Sequence, residues 1–143
     1  MPAVIEEARL SAVRRYNILD TPQEEVFDRI TGLAARVLKV PIALITIIDS
    51  QRIWIKSCFG TELQETNREL GFCASCILQE GPLVVPDAIA DPATAQHSLV
   101  TGVFGLRSYV GVPLRTYDGA NLGDWFDHQL LPARGHPCRS VRR

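Results

Sequence analysis

The stretch at residues 105–115, which reads GLRSYVGVPLR, constrains the fold more than any other part of the sequence. Side chains alternate between the two faces of an extended chain. One face, predicted to be the core face, carries Leu106, Ser108, Val110, Val112 and Leu114. The opposite face carries Arg107, Tyr109, Gly111 and Pro113. Because glycine weakens a strand, its usual justification is a bulge or the close approach of another group. We therefore predict a strand on which Gly111 marks either a bulge or a hollow that admits a small ligand.

Two helices are predicted before the first strand. Residues 4–15 mix charged and apolar groups in a pattern typical of an amphipathic helix that stands outside the main domain. Residues 21–24 then supply a threonine N-cap, a proline at the first helical position and a glutamate at the third. The second helix, which Pro41 ends, is predicted to lay one apolar stripe on a sheet, formed by Val26, Phe27, Ile30, Leu33, Ala34, Val37 and Leu38.

The rest of the sequence alternates short strands with short helices. Residues 42–48 form an apolar run typical of a buried strand, and residues 52–58 alternate as its hairpin partner. A loop at residues 60–68, short helices at 70–79 and 93–101, and a strand fragment at 83–85 follow. The Asp118-Gly119 turn predicts that the next strand folds back antiparallel. This order predicts an α+β fold with a central antiparallel sheet covered by helices.

Charge and composition exclude several classes of protein. The formal net charge of −1 gives no electrostatic case for binding nucleic acid or an anionic membrane. Residues 1–7 turn acidic where a signal peptide would be basic and then apolar. The apolar runs fall far short of the roughly 20 residues that a membrane-spanning helix needs. We therefore expect a single-domain cytoplasmic protein that binds neither nucleic acid nor a membrane.

The cysteines Cys58, Cys73, Cys76 and Cys138 are expected to be reduced, because no export signal precedes them. A zinc site, and with it any metal, is not predicted, since no second ligand pair stands near Cys73 and Cys76. These two cysteines are three residues apart, so on a helix their sulfurs share one face, and the helix N-terminus would acidify the first thiol. A reversible dithiol switch and simple apolar packing are the two interpretations.

No catalytic constellation stands out in the sequence. We find no nucleophile beside a base, no glycine-rich phosphate loop and no paired carboxylates, so we do not predict an enzyme. Asp87 and Asp91 can cap a helix or accept hydrogen bonds from a ligand. Arg107 can clamp an anion or pair with an acidic residue. Trp54 and Tyr109 can line an apolar cavity or pack in the core.

Several separated motifs, in this order, resemble the GAF domains of bacterial signalling proteins over about residues 10–123. They are YNILDTP at 16–22, FDRI at 27–30, VPIALI at 40–45, FCA at 72–74, VPD at 85–87 and YVGVPL at 109–114. The resemblance implies a PAS-like sensor module, commonly fused to a histidine kinase, a diguanylate cyclase or phosphodiesterase, or another output unit. It also implies a flanking helix and linker at residues 1–20, a GAF-like domain at 21–123, and a homodimer formed through the N-terminal helix.

The expected function is therefore sensory binding of an unidentified small molecule, without catalysis. We predict that the pocket lies between the sheet face that bears Tyr109 and Gly111 and the segment at residues 72–91. The candidate pocket residues are Trp54, Phe72, Cys73, Cys76, Asp87, Asp91, Arg107, Tyr109 and Gly111.

The sequence departs from the GAF pattern in two places. Ser75 stands where the relatives carry a histidine. After Gly123 the relatives continue into an apolar strand and a closing helix, whereas this chain continues with DWFDHQLL and a tail that contains four arginines. We expect residues 124–143 to be an altered strand remnant with a disordered basic tail, or the product of a frame shift near Gly123. Loss of the closing helix would expose apolar surface on the first helices.

Other functional classes stay open. One is a thiol redox switch or redox enzyme that uses Cys73 and Cys76. Another is a bilin-binding photoreceptor, but known bilin binders carry a histidine directly after the attaching cysteine, and none follows Cys58, Cys73 or Cys76 here. The cysteine spacing and glycines of the free methionine sulfoxide reductases, which are GAF enzymes, are also missing. A purely structural dimerisation module is the last alternative.

Overall fold

The computed structural model describes residues 2–130, which begin with two helices and continue with strands and short helices. The helices are α1 (Ala3–Arg15), α2 (Glu25–Leu38), α3 (Cys73–Cys76) and α4 (Ser98–Thr101), with a 3-10 turn at Arg68–Leu70. The strands are β1 (Ile42–Ile48), β2 (Arg52–Phe59), β3 (Glu65–Asn67), β4 (Leu83–Val85), β5 (Leu106–Arg115) and β6 (Asn121–Leu130). The predicted helices at 70–79 and 93–101 are thus single turns, and the predicted loop at 60–68 contains β3.

The strands form one antiparallel sheet in the order β3-β2-β1-β6-β5-β4. This arrangement confirms the predicted α+β fold with a central antiparallel sheet and helices. The predicted turn between β5 and β6 is also present: the Gly119 amide donates to the Thr116 carbonyl, and Gly119 adopts a φ of 93°, which favours glycine.

The segment after Gly123 is a regular part of the sheet. β6 pairs along its length with β5 and, from Gly123 to His128, with β1, so it occupies the centre of the sheet. The expected strand remnant is thus a strand of the sheet, while the frame shift near Gly123 stays a prediction. The predicted disordered tail at residues 131–143 lies outside the described residues.

The two faces of the sheet pack against different elements. One, which we call the cavity face, carries Ile42, Leu44, Ile53, Ile55 and Tyr109, and it packs against the chain between residues 71 and 106. The other, which we call the helix face, carries Ile47 and Trp54 and packs against α1 through Val13. α2 also lies on the helix face, where Ser57 of β2 contacts it.

The predicted core face of β5 is wrong beyond its first residue. Tyr109 and Gly111 are buried, whereas Val110 is half-buried and Val112 is 36% exposed. The pairing of β5 with β6 shifts register between Leu106 and Ser108. Such a bulge reverses the alternation of side chains, so Leu106 and Tyr109 both point to the cavity face although they are three residues apart.

The predicted orientation of α2 is also wrong. This helix buries Thr31, Gly32 and Ala35, while most of the predicted stripe is exposed, with Leu33 at 62% and Val37 at 68%. The reason is the polar strand beneath it. The Ser57 hydroxyl donates to Asp28 (2.6 Å) and shares a 3.0 Å hydrogen bond with the Thr31 hydroxyl, so the small and polar side of the helix faces the sheet.

The predicted start of α2 is three residues too early. The helix begins at Glu25, and its N-cap, Glu24, makes no side-chain cap. The Thr21 hydroxyl instead donates to the Ile18 carbonyl (2.5 Å) and accepts from the Lys56 ammonium (2.7 Å). Burial of Lys56 explains this use of the threonine, because a buried ammonium needs acceptors.

α1 is tied to the sheet by a buried arginine. The Arg9 guanidinium donates to the Ile48 carbonyl (2.8 Å) and forms two 2.9 Å hydrogen bonds with the Glu6 carboxylate. Hydrogen bonds from Arg9 and Arg68 outweigh the effect of burial and lower the pKa of Glu6 to about 2.

The described helices include none long and apolar enough to cross a membrane. The role of α1 as a flanking helix stays a prediction.

Candidate ligand cavity

An apolar cavity of about 120 Å³ opens between the cavity face of the sheet and the segments that cover it. β1 and β2 form its floor, the segment at residues 71–73 forms one wall, and Leu99 and Phe104 form another. Thr61, Leu63 and Thr66 complete the rim. The full lining is Ile42, Leu44, Thr46, Ile53, Ile55, Thr61, Leu63, Thr66, Gly71, Phe72, Cys73, Leu99, Phe104 and Tyr109. No residue of this lining carries an acidic or basic side chain.

A buried carboxyl group organises the polar end of the cavity. The Tyr109 hydroxyl donates to one oxygen of Asp124 (2.5 Å), and the Thr46 hydroxyl donates to the other. Asp124 has no exposed surface and lies behind the two residues that line the cavity. Burial raises the pKa of Asp124, although the hydrogen bonds from Thr46 and Tyr109 act in the opposite direction. Burial also raises the pKa of Tyr109, so its phenol stays neutral.

Gly111 allows Tyr109 to reach Asp124. A Cβ atom at position 111 would lie only 2.4 Å from the Tyr109 hydroxyl oxygen and 2.8 Å from its Cζ. The tyrosine side chain therefore occupies the space that a side chain at position 111 would need. The expectation that Gly111 faces a hollow is wrong, because the protein's own tyrosine fills that space.

Gly123 meets the backbone of a neighbouring strand. A Cβ atom there would lie 1.9 Å from the Thr46 carbonyl oxygen, so β1 and β6 come together at this point. The next residue along β6 is Asp124, which this close approach holds beside Thr46.

The two cysteines of α3 are buried. Burial, reinforced by the nearby Asp124 carboxylate, raises the pKa of Cys73 well above its ordinary value and that of Cys76 to about 12. The predicted acidification of Cys73 by a helix N-terminus is wrong, because α3 is only four residues long and its thiols face a carboxyl group. Cys58, which is half-buried on β2, also has a raised pKa because of burial.

Three of the nine predicted pocket residues line the cavity, namely Phe72, Cys73 and Tyr109. The ring of Phe72 meets the ring of Tyr109 edge to face, with the ring centroids 5.5 Å apart. Trp54 lies on the helix face, where it packs with Val13 and Ile47. Cys76 and Gly111 are buried outside the lining.

The charged candidates make internal contacts. The Asp87 carboxylate accepts from the amides of Ile89 and Ala90, and the Asp91 carboxylate accepts from the amide of Ala93. Both aspartates therefore cap turns. The Arg107 guanidinium donates to the carbonyls of Val100 (3.1 Å) and Leu106 (2.9 Å) and does not line the cavity. A ligand-binding role for the nine candidates stays a prediction.

Sequence reasoning missed the floor of the cavity and its buried acid. Ile42, Leu44 and Thr46 alternate along β1, so the period of the strand identifies them as one face. Asp124 is harder to find, and its only signal is a charged residue between Gly123 and Trp125 at the centre of a strand. Within residues 2–130 the structure contains no group of three or more histidine, cysteine or acidic side chains that could hold a metal ion.

Comparisons with known proteins agree with one another about the family and the fold. The family model for the GAF domain matches residues 22–123. The cyclic di-GMP phosphodiesterase PA2567 of Pseudomonas aeruginosa is 38% identical over 118 residues, which are 82% of this chain and 20% of that protein. The chain thus spans about a fifth of the length of this curated relative.

Two solved structures share the fold. The GAF domain of a phosphoenolpyruvate-protein phosphotransferase from Coxiella burnetii aligns over 91% of this chain and 80% of its own, with a TM-score of 0.58 and 16% identity. A type II free methionine-R-sulfoxide reductase from Thermoplasma acidophilum aligns over 87% and 77%, with a TM-score of 0.56 and 15% identity. At these identities the two structures establish the fold alone.

Proposed function

Because the chain belongs to the GAF domain family, we propose that it is a sensory domain that binds a small molecule in the apolar cavity and catalyses no reaction. The cavity is the observation that carries this proposal. It lies on the cavity face of the sheet, it has an apolar floor, and the hydroxyl groups of Thr46 and Tyr109 meet at one end, as the few polar groups do in other small-molecule sites. The raised pKa values of the two α3 thiols support a binding role over a redox one.

We place this sensory role in bacterial signal transduction, in a cyclic di-GMP or two-component histidine kinase pathway in the cytoplasm. The similarity to a cyclic di-GMP phosphodiesterase supports the first of these pathways. The partner is then an output domain, in the same protein or in another one. The ligand acts on the output by binding one arrangement of the domain more tightly than another. A ligand with equal affinity for both arrangements would not change the equilibrium between them.

Direct binding measurements test this function. A panel of amino acids, cyclic nucleotides, tetrapyrroles and small aromatic compounds is titrated against the protein by calorimetry and thermal shift. We expect one class to bind and Leu44→Phe, which fills the cavity floor, to abolish that binding. Val84→Phe, at an exposed position of β4, is the matched control and should bind normally. If no class binds, or if Leu44→Phe binds as well as the control, the sensory function is wrong.

We further propose a homodimer through the N-terminal helix α1, which exposes Val4 and Ile5. α2 offers a competing surface, since the apolar stripe of Val26, Ile30, Leu33 and Val37 is exposed along it. Sedimentation velocity of Ile5→Asp and Leu33→Asp separates the two surfaces. The proposal requires that Ile5→Asp produce monomers while Leu33→Asp stays dimeric. The reverse result would place the contact on α2, and a monomeric wild-type protein would exclude both.

A further inference from the structure

The size of the cavity limits what it can hold. An engineered cavity of about 150 Å³ lined by leucine, isoleucine and phenylalanine stays dry and binds benzene. The present cavity is about 120 Å³, with similar residues on its floor and walls. Pockets for drug-sized ligands measure about 300–1,000 Å³. The enclosed part of the cavity therefore has room for one small ring and not for a whole nucleotide or tetrapyrrole.

The charges around the cavity exclude an ionised ligand. Its lining contains no lysine, arginine or histidine to pair with an anion. The nearest ionisable group behind the polar end is Asp124, whose sign and hydrogen bonds suit no phosphate or carboxylate. Arg107 does not line the cavity, and its Nη1 atom donates to the carbonyls of Val100 and Leu106. Burying a charged group without a partner is strongly unfavourable, so anions bind here far more weakly than neutral molecules of the same size.

The walls favour a flat apolar molecule. Phe72 and Tyr109 present two rings at right angles, with an interplanar angle of 89°. A third ring, that of Phe104, lies at the mouth, where Phe104 and Leu63 are both partly exposed and leave the cavity open to solvent. Aromatic rings attract one another in edge-to-face and offset arrangements, so a ring that enters beside Phe104 gains contacts with Phe72 and Tyr109.

We infer that the ligand of this cavity is an uncharged, mainly apolar molecule no larger than about one aromatic ring. The inference rests on the proposed sensory function and specifies the chemical class that the sensor recognises. It predicts that the domain does not bind cyclic nucleotides in this cavity, whatever nucleotide its output partner uses.

Matched pairs of probes test the inference. Benzyl alcohol and benzoate have the same ring and nearly the same size but differ in charge. Phenol and phenyl phosphate also differ in charge, but the phosphate ester is larger, so the first pair isolates the effect of charge. We expect titrations monitored by methyl NMR to show binding of benzyl alcohol and phenol at least tenfold tighter than that of their anionic partners. Contacts between the bound ring and the methyl groups of Leu44 and Ile55 would place the probe in the cavity.

Variants and the outcomes separate this inference from the proposed function. Leu44→Phe and Ile55→Phe should each abolish binding of benzyl alcohol, while Val84→Phe keeps it. Circular dichroism identifies a variant that fails to fold. In that case the NMR contacts between the bound probe and Leu44 and Ile55 of the wild-type protein decide whether the probe occupies the cavity. If benzoate or cyclic AMP binds in the cavity as tightly as benzyl alcohol or more tightly, the inference is overturned but the proposed sensory function is not. If no probe or panel compound contacts Leu44, both the inference about the ligand and the proposed sensory function are overturned.

Discussion

Replacing Gly111 with alanine tests the hydrogen-bonded end of the cavity most directly. The new Cβ would lie 2.4 Å from the Tyr109 hydroxyl oxygen, 2.8 Å from its Cζ and 2.9 Å from its Cε1. The ring must therefore move, and its 2.5 Å hydrogen bond to Asp124 breaks or lengthens. Loss of a hydrogen bond to a buried polar group costs about 1–3 kcal/mol, and an overfilled core costs about 1–3 kcal/mol more. We expect Gly111→Ala to lower the free energy of unfolding by about 2–6 kcal/mol.

Urea denaturation followed by circular dichroism measures this loss. Gly81→Ala is the control, because no atom lies within 4 Å of a Cβ at that position, and it should cost nothing. In a Tyr109→Phe background the hydrogen bond is already lost and the phenyl ring is free to shift. There the alanine at position 111 should cost at least about 1 kcal/mol less than in the wild type. Wild-type stability of Gly111→Ala, or an undiminished cost in the Tyr109→Phe background, would refute the reasoning.

Three further predictions concern ionisable groups. The lowered pKa of Glu6 means that its stabilising effect is complete above about pH 4.5 and lost as the pH falls to about 2; Glu6→Gln should therefore be less stable than wild type at pH 7 and equally stable near pH 2, unlike the exposed control Glu7→Gln. The raised pKa of Asp124 has the opposite effect on the pH dependence of stability, since the folded state holds the proton more tightly than the unfolded state does. Wild-type stability should therefore fall relative to Asp124→Asn as the pH rises above about 4, and a constant difference would contradict the assignment. In a Cys138→Ser background, a thiol reagent at pH 8 should modify Cys58 first and should modify Cys73 and Cys76 only when the protein unfolds. Rapid modification of Cys73 in the folded protein would favour the redox alternative.

Local patterns in the sequence predicted the elements well where one signal dominates. The apolar, β-branched run of β1 and the Asp118-Gly119 turn specify a buried strand and a hairpin without help from distant residues. The family resemblance, which rested on several motifs in order, was also confirmed. The strand and the turn each depend on residues that are close together in the chain, and so does each separate motif of the resemblance.

Features that depend on contacts between distant residues were not predictable. A bulge near Arg107 decides which side of β5 faces the core, and no pattern within the strand predicts this bulge. The side of α2 that faces the sheet follows from Ser57, a residue far along the chain that bonds to Asp28 and Thr31. The role of Gly111 likewise follows from the reach of Tyr109 towards Asp124, which only the paired strands bring close.

The place of β6 in the sheet has a consequence for how the chain is made. β6 is the last described strand in sequence but the third from one edge of the sheet, where it joins β1 to β5. During synthesis on the ribosome, β1–β3 and β4–β5 therefore emerge as two separate pieces that cannot pair with each other. Pairing between residues far apart in sequence slows folding and leaves strand edges open. A nascent chain that stalls before residue 121 thus presents two unpaired strand edges to the cell's chaperones and proteases.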